Sequence, residues 1–546
     1  MPEMIEVPVL IVGGGPAGMS LALLLNRFGV NSLLAERRAT ITTHPKSRGC
    51  HARTMEQFRV WGIEERVRRA GLPQESDVAC WCESLNGPLV GYTQPAPTTN
   101  TPSPRSIVPQ DAVEEALDDA LSRCPLADIR RSTELVDFEQ GPTGVVAKLH
   151  RLNDGHEYQV RAQYLVGCDG ASSRVRAALG VQMDGPEQMA LMANHYYRAD
   201  VSHFPHVRSA IGFLVRPRDR SKEDTIVLAT GPVGDRWLSV QKLRDGEEPM
   251  TEARLIEAVR ELWGIPDLHV ERINVMNWKM SAQVAQNFRV GRVFLAGDAA
   301  HRFPTAGGNG LNSGVQDVHN LAWKLVAVLS RAADDALLDT YEAERRPVAQ
   351  SNTAFAVDNQ HRIDRMDDAF VRRDEDPETW RELLRDQDKQ LHSDGQSMGF
   401  IYTDGAIVDD GSPVPPHDPQ RYWPTDRPGA RFPHFWVDAE QTESTIDWFD
   451  TSFVLVCGPD ADGWQRAGSI LAARVSVPLQ IKRLPHMLGP LSIERDGAVL
   501  VRPDGHVAWR AKQAGAADDL YRAYDLVLAG GTRAVTELVP SIEVRT

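Results

Sequence analysis

Near the start of the chain an apolar run, Val9-Leu10-Ile11-Val12, opens directly into Gly13-Gly14-Gly15-Pro16-Ala17-Gly18. This junction restricts the fold more than any other stretch. A run with no polar alternation reads as a strand buried on both faces, over residues 6–12, as in a parallel sheet. Residues 16–28 continue at helical spacing. A second strand begins near Asn31 and ends at Glu36. In such a strand–turn–helix–strand unit Gly13 permits the tight turn, Gly15 lets backbone approach a pyrophosphate, and Gly18 lets the helix lie close to the sheet. Pro16 and Ala17 open the helix, whose free N–H groups and partial positive charge suit phosphates. Glu36 stands 18 residues beyond Gly18, where a carboxylate can accept from ribose hydroxyls. Both NAD and FAD are compatible with these residues.

Two more glycine-rich signatures follow. The first is Gly167-Cys168-Asp169-Gly170-Ala171-Ser172-Ser173-Arg174-Val175-Arg176. The second begins about 280 residues after the opening loop, with Gly297-Asp298-Ala299-Ala300-His301, and continues through Pro304, Gly307, Gly308 and Gly310 to Gly314. It leaves a strand at 293–296 and enters a helix read over 315–332, with Val318, Leu321, Ala322, Leu325 and Val328 on one stripe. The three signatures, in this order, resemble the single-component (class A) FAD-dependent aromatic hydroxylases, in the branch of phenol hydroxylase and dichlorophenol monooxygenase. The resemblance runs from about residue 5 to the C-terminus.

That resemblance implies a fold: an α/β FAD-binding Rossmann-type domain of the para-hydroxybenzoate hydroxylase kind, an inserted β-sheet substrate domain, and a thioredoxin-like C-terminal domain. It also implies cofactor contacts. FAD would meet Gly13, Gly15, Pro16, Ala17, Gly18, Glu36 and Arg37. Asp298 would hold the ribityl chain, and Gly308, Gly310 and the N–H groups of Leu311 and Asn312 the pyrimidine edge. Lys46 takes the place of a phosphate-facing cation, keeping the charge of the commoner arginine but not its fork. Gln110 would lie near the phosphates, or would cap the helix 111–121. Asp169 would support the pyrophosphate region and NAD(P)H use.

The implied reaction uses NADPH or NADH as a transient reductant and O₂ to form a flavin C(4a)-hydroperoxide, which hydroxylates a phenolic ring. An alternative within the same fold oxygenates a polycyclic aromatic polyketide or antibiotic. A second alternative is a flavin oxidase or reductase without hydroxylation. Pro304 would lie beside the reacting face. Relatives carry Asp or His where this chain has Arg48, judged by the frame Gly49, Arg53-Thr54, Glu56. Arginine is always protonated and cannot be a base. It can hold a phenolate or a substrate carboxylate, or pair with FAD phosphates. His51, three residues on, offers a group that titrates near neutrality, or is an ordinary polar residue. Tyr197 and Trp237 fall in the expected second sheet and are candidate substrate contacts, or core.

At 546 residues the chain exceeds one ordinary domain. The expected division is 1–184 and 286–396 for the FAD domain, 185–285 for the substrate sheet, 397–428 for a Pro/Asp-rich linker and 429–546 for the C-terminal domain. Residues 337–396 read as a long charged helical stretch. A net charge of −15 argues against nucleic acid, whose phosphates demand a basic footprint. No apolar run reaches the roughly 18–20 residues that span a bilayer, and no secretory signal opens the chain. Six scattered cysteines suit a reduced cytoplasm, and Cys80 with Cys82 lack the second pair that a metal site needs. The C-terminal segment carries no CxxC, so a role in stability or homodimer contacts is expected there.

Overall fold

The computed structural model describes residues 4–94, 97–202, 210, 212–218, 224–230, 235–243, 251–487 and 489–531. Ile211 and residues 532–546, which fall in expected elements, lie outside them.

The first sheet runs Arg289–Val290, Val293–Leu295, Glu157–Gly167, Met4–Val12, Ser32–Ala35, Ala127–Arg130. Four of its five neighbour pairs are parallel, and the pair Arg289–Val290 with Val293–Leu295 is antiparallel. Val9, Leu10 and Ile11 are fully buried because helices cover both faces. The antiparallel strands Thr133–Gly141 and Gly144–Arg151 extend this sheet from Glu157–Gly167.

The second sheet has seven strands in the order Glu271–Met280, Ala190–Arg198, Arg236–Leu243, Thr225–Ala229, Gly212–Val215, Ala79–Cys82, Leu89–Thr93. Its last two strands come from the first third of the chain, within the span expected for the FAD domain. A helix, Glu252–Trp263, covers one face. Strand patterning had hidden it, yet its punctuation was legible: the Thr251 side chain accepts from the Arg254 N–H, and Gly264 closes the helix at φ +67°.

The C-terminal sheet runs Leu479–Arg483, Phe453–Cys457, Ala498–Val501, Val507–Ala511, the first pair parallel and the others antiparallel. With helices Asp462–Ala472 and Ala517–Leu528 this is a thioredoxin-like arrangement. Two sequence expectations need correction. The charged stretch is three helices, Thr340–Arg372, Pro377–Leu391 and Asp394–Met398. The linker read over 397–428 is packed at both ends, where Tyr402, Ala406, Ile407 and Asp426 are buried, while most of 409–421 is exposed. Asp426 accepts from the Ser492 and Ile493 N–H groups at 2.8 and 3.1 Å and from Arg510 at 2.6 Å.

The C-terminal domain is anchored through charge. Arg502 donates to both carboxylate oxygens of Glu344, at 2.7 and 2.9 Å, and Lys324 donates to the same group at 2.9 Å. All three side chains are fully buried. Arg53 donates to the Asp504 carbonyl at 2.5 Å and pairs with Glu56, which also takes Arg431. Among the described residues no helix is long and apolar enough to cross a membrane.

Candidate active site

Strand register brings the three glycine signatures together. Val12 stands opposite Gly167, and Gly167 opposite Leu295, in adjacent parallel pairs. All three signatures therefore leave the carboxyl ends of neighbouring strands, where an open α/β sheet has its ligand crevice. The loops then meet at distances only glycine allows. Gly13 has φ +107°, and a Cβ there would lie 2.6 Å from the Cys168 carbonyl carbon. A Cβ on Gly18 would overlap the Gly13 carbonyl oxygen. A Cβ on Gly314 would lie 3.1 Å from the Gly297 Cα and 3.4 Å from the Ala17 Cβ. Gly15 is different: nothing stands within 4 Å of its Cβ position.

A cavity of about 1830 Å³ opens in front of these loops. It exceeds the roughly 300–1,000 Å³ of a site for one drug-sized ligand. Gly13, Gly15, Pro16, Ala17, Glu36 and Arg37 of the first signature line it. So do Lys46, Arg48, His51, Gln110 and Asp169, and Asp298, Pro304, Gly308, Gly310 and Leu311 of the third. Gly18 and Asn312 stand behind this wall and shape it.

Each of these groups has a definite setting. Glu36 accepts from the Gly14 N–H at 2.5 Å and the Arg38 N–H at 2.9 Å. Burial pushes its carboxyl up, but these bonds and the Arg38 charge outweigh it and hold the group below its usual value. Gln110 starts its helix and donates to Glu114 at 2.8 Å. Asp169 caps the helix Arg174–Ala178, accepting from Ser173 Oγ and from the N–H groups of Arg174 and Val175. Arg176 ties this signature to the third by donating to the Ala299 carbonyl at 2.9 Å.

The helix Asn309–Leu329 begins after Gly308, at φ +66°. Its first-turn N–H groups have no intrahelical partner. The Asn312 side chain fastens the neighbouring segment to this helix end. It accepts from the His51 N–H at 2.8 Å and donates to the carbonyls of Gly49 and Gly308. Sequence reasoning missed the scaffold beneath the loop. Asp317, fully buried, takes His301 at 2.7 Å, Arg345 at 2.9 Å and the Gly297 N–H at 3.2 Å. The only available signal was an acid on the apolar stripe of a helix.

Arg48 lies on the cavity wall with Nε and Nη1 buried and without a hydrogen-bond partner among the described residues. Asp77, the nearest opposing charge, is taken by Arg105 at 2.7 Å. Burial lowers the Arg48 guanidinium to about 10, so it stays charged at neutral pH.

Two expectations are corrected. Tyr197 and Trp237 do not line the cavity. Side chains alternate along a strand, and Met192 and Asn194 take the cavity face. Tyr197 and Trp237 point the other way, under the helix Glu252–Trp263. The rings of Trp237 and Trp263 lie 5.0 Å apart, and Tyr197 Oη accepts from Trp263 Nε1 at 3.1 Å.

His51, in turn, is no neutral-pH titrating group. Its Nε2 lies 2.9 Å from the Gly307 carbonyl, which can only accept, so Nε2 carries the proton. Burial, helped by the Arg105 charge, lowers it to about 4. The folded value lies below the ordinary 6.5, so the stability this neutral ring contributes is present above about 6.5 and lost as pH falls toward about 4. A His51→Gln variant keeps an N–H donor. Its turnover profile above pH of about 6 should match the parent's; loss of a limb near neutrality would make His51 the acid–base group.

Among the described residues no cluster of three or more His, Cys, Asp or Glu is placed to hold a metal.

Two family descriptions match the chain: FAD binding domain over residues 6–356, and aromatic-ring hydroxylase, C-terminal, over residues 425–529. A putative polyketide hydroxylase of Streptomyces halstedii is 35% identical over 93% of this chain and 94% of its own. Phenol 2-monooxygenase of Pseudomonas sp. (strain EST1001) is 31% identical over 93% of this chain and 90% of its own. A crystal structure of the flavin-dependent monooxygenase PieE in complex with FAD and substrate superposes with a TM-score of 0.90, at 32% identity, covering 97% of this chain and 100% of PieE.

Proposed function

The chain belongs to the FAD-binding aromatic-ring hydroxylases, and from that premise we propose that it oxygenates a planar polycyclic aromatic substrate, a polyketide in class, rather than a simple phenol. That it is an FAD-dependent aromatic monooxygenase follows from the family; the substrate is the further step. The cavity carries it. Beyond the glycine loops its wall is an apolar sheet face of Met192, Ile226, Leu228, Leu238, Val240 and Met276. A single phenol beside a flavin would leave most of that face wet, against the hydrophobic effect. Of the two relatives above, the one named for a polyketide is the more similar. The simple phenol favoured by the motifs therefore gives way to the polycycle.

The residues present fit FAD. Gly15 leaves room for a pyrophosphate, and the helix Pro16–Arg27 points its N-terminus at it. Glu36 and Arg37 would hold the adenosine ribose. Lys46, Gln110 and Asp169 would face the phosphates, and Asp298 the ribityl chain. Gly308, Gly310 and the N–H groups of Leu311 and Asn312 would meet the pyrimidine edge, where a positive helix end stabilises negative charge. When bound, FAD supplies the redox chemistry, drawing electrons from NADPH or NADH and delivering activated oxygen to an aromatic carbon.

The chain's own part is to bind, orient and keep water out. Arg48 holds an ionised substrate oxygen, which makes the ring carbons beside it more nucleophilic. Pro304 and the second sheet close the reacting side against water.

The test is NADPH and NADH oxidation by the FAD-loaded protein with aklavinone, emodin and phenol, following product and peroxide together. A polycycle recovered with one added oxygen and little peroxide supports the reading. Turnover of phenol alone would return the assignment to simple phenols, and peroxide alone would favour an oxidase. Arg48→Gln should retain FAD but raise KM about 10- to 100-fold, since a hydrogen bond to a charged group is worth roughly 1.5–3 kcal/mol. An unchanged KM would remove Arg48 from the substrate.

A further inference from the structure

The geometry points to Trp278 as the platform on which the aromatic substrate stacks, its ring fixed by a relay through Asn194 to His44. This inference rests on the polycyclic reading above and names the residue that would select for it. Trp278 lies on the strand Glu271–Met280, opposite Met192 in the antiparallel pair. It is half-buried and lines the cavity, beside Met276, Met280 and Asn194. Phe303 also lines the cavity, but one face of its ring is stacked on His301 at 4.6 Å.

The relay admits one arrangement. An indole N–H can only donate. Trp278 Nε1 lies 2.9 Å from Asn194 Oδ1, so the Asn194 amide must turn its oxygen there. Its Nδ2 then faces His44 Nε2 at 3.3 Å, and that nitrogen must accept. His44 therefore carries its proton on Nδ1, and its ring is packed edge-on against Tyr196 at 6.0 Å. Asn194 is 5% exposed and His44 3%, so water does not compete for these bonds.

A ring held this way is already ordered before a ligand arrives, which lowers the entropic cost of stacking on it. The methionines around it adapt to an irregular planar outline. Trp278 is thus a specificity-determining residue, and Asn194 a positioning residue that acts through it.

The test uses the FAD-loaded full-length protein, with emodin as the polycyclic probe and phenol as the small one. Binding is followed by the change in flavin absorbance, together with KM, kcat and the ratio of product to peroxide. Trp278→Ala should weaken emodin binding about tenfold or more, a typical cost for losing a buried aromatic contact. FAD content and phenol binding should stay at parent values. Trp278→Phe, which keeps a ring, should recover most of the affinity. Asn194→Leu, which keeps the indole but frees it, should raise KM for emodin and divert turnover to peroxide while kcat changes little. Emodin binding that is equal in the parent and Trp278→Ala overturns the platform, as does a Phe variant no better than Ala. A parent enzyme that binds neither emodin nor aklavinone, yet turns over phenol, overturns the polycyclic reading and the platform with it.

Discussion

Gly13→Ala gives a protein that purifies without flavin and melts well below the parent, while Gly15→Ala gives one that melts with the parent and still loses flavin. The two glycines sit two residues apart, and geometry separates them. Gly13 has φ +107°, and a Cβ there would lie 2.8 Å from the Asp169 Cα as well as against the Cys168 carbonyl. The backbone strain is of order 1–3 kcal/mol, and the overlap adds about as much again. The loop can relieve it only by moving away from Cys168, which opens the joint between the first two signatures. Gly15 has φ −80°, a conformation any residue adopts, and its Cβ would meet nothing. An alanine there costs the empty fold little, but its methyl group occupies the space a pyrophosphate needs. Flavin absorbance after purification and a thermal melt read both outcomes. A Gly15→Ala protein that keeps its flavin at parent affinity would place the dinucleotide elsewhere.

Glu344→Gln should lower the apparent melting temperature by about 3–4 °C and make the C-terminal domain the first part cut by protease. Glu344 neutralises Arg502 from the C-terminal domain and Lys324 from the helix Asn309–Leu329, all without exposure to water. Removing one member of a buried ion pair costs roughly 3–5 kcal/mol, because the remaining charges stay buried and unpaired. The same group sets an acid limit. Burial pushes its carboxyl up, but Arg502 and Lys324 outweigh this and bring it down to about 2, from an ordinary 4.5. Its stabilisation is therefore complete above about 4.5 and is lost as pH falls from there toward about 2. The parent should lose stability across that window, and Glu344→Gln should lose less. Equal acid sensitivity in the two proteins would show that the network does not hold the domains together.

Much of the site was legible before any coordinates. Gly13 and Gly18 do locally what their spacing implied, because turn geometry and strand–helix contact act over a few residues. Asp169 was legible only in part: its link to the first signature is the backbone contact with Gly13, while its carboxylate caps a short helix. Whether Tyr197 and Trp237 were substrate contacts or core was not legible, because which face of a strand meets a cavity depends on what covers the other, here a helix that strand patterning hid. The role of His51 was left open for a related reason. Its residue type allows titration near neutrality, but its burial and the Gly307 carbonyl come from a loop more than 250 residues away.

The sequence by itself determined the dinucleotide crevice, the order of its three signatures and the absence of a redox pair in the C-terminal segment. Those rest on residue chemistry and on short-range backbone geometry. Tertiary structure alone decided that both ends of residues 397–428 are packed, that Arg502 and Glu344 join two domains, and that Asn194 and Trp278 face the cavity. Partners distant in sequence meet through sheet register and helix packing, and no local pattern along the chain records which side of a strand they will share.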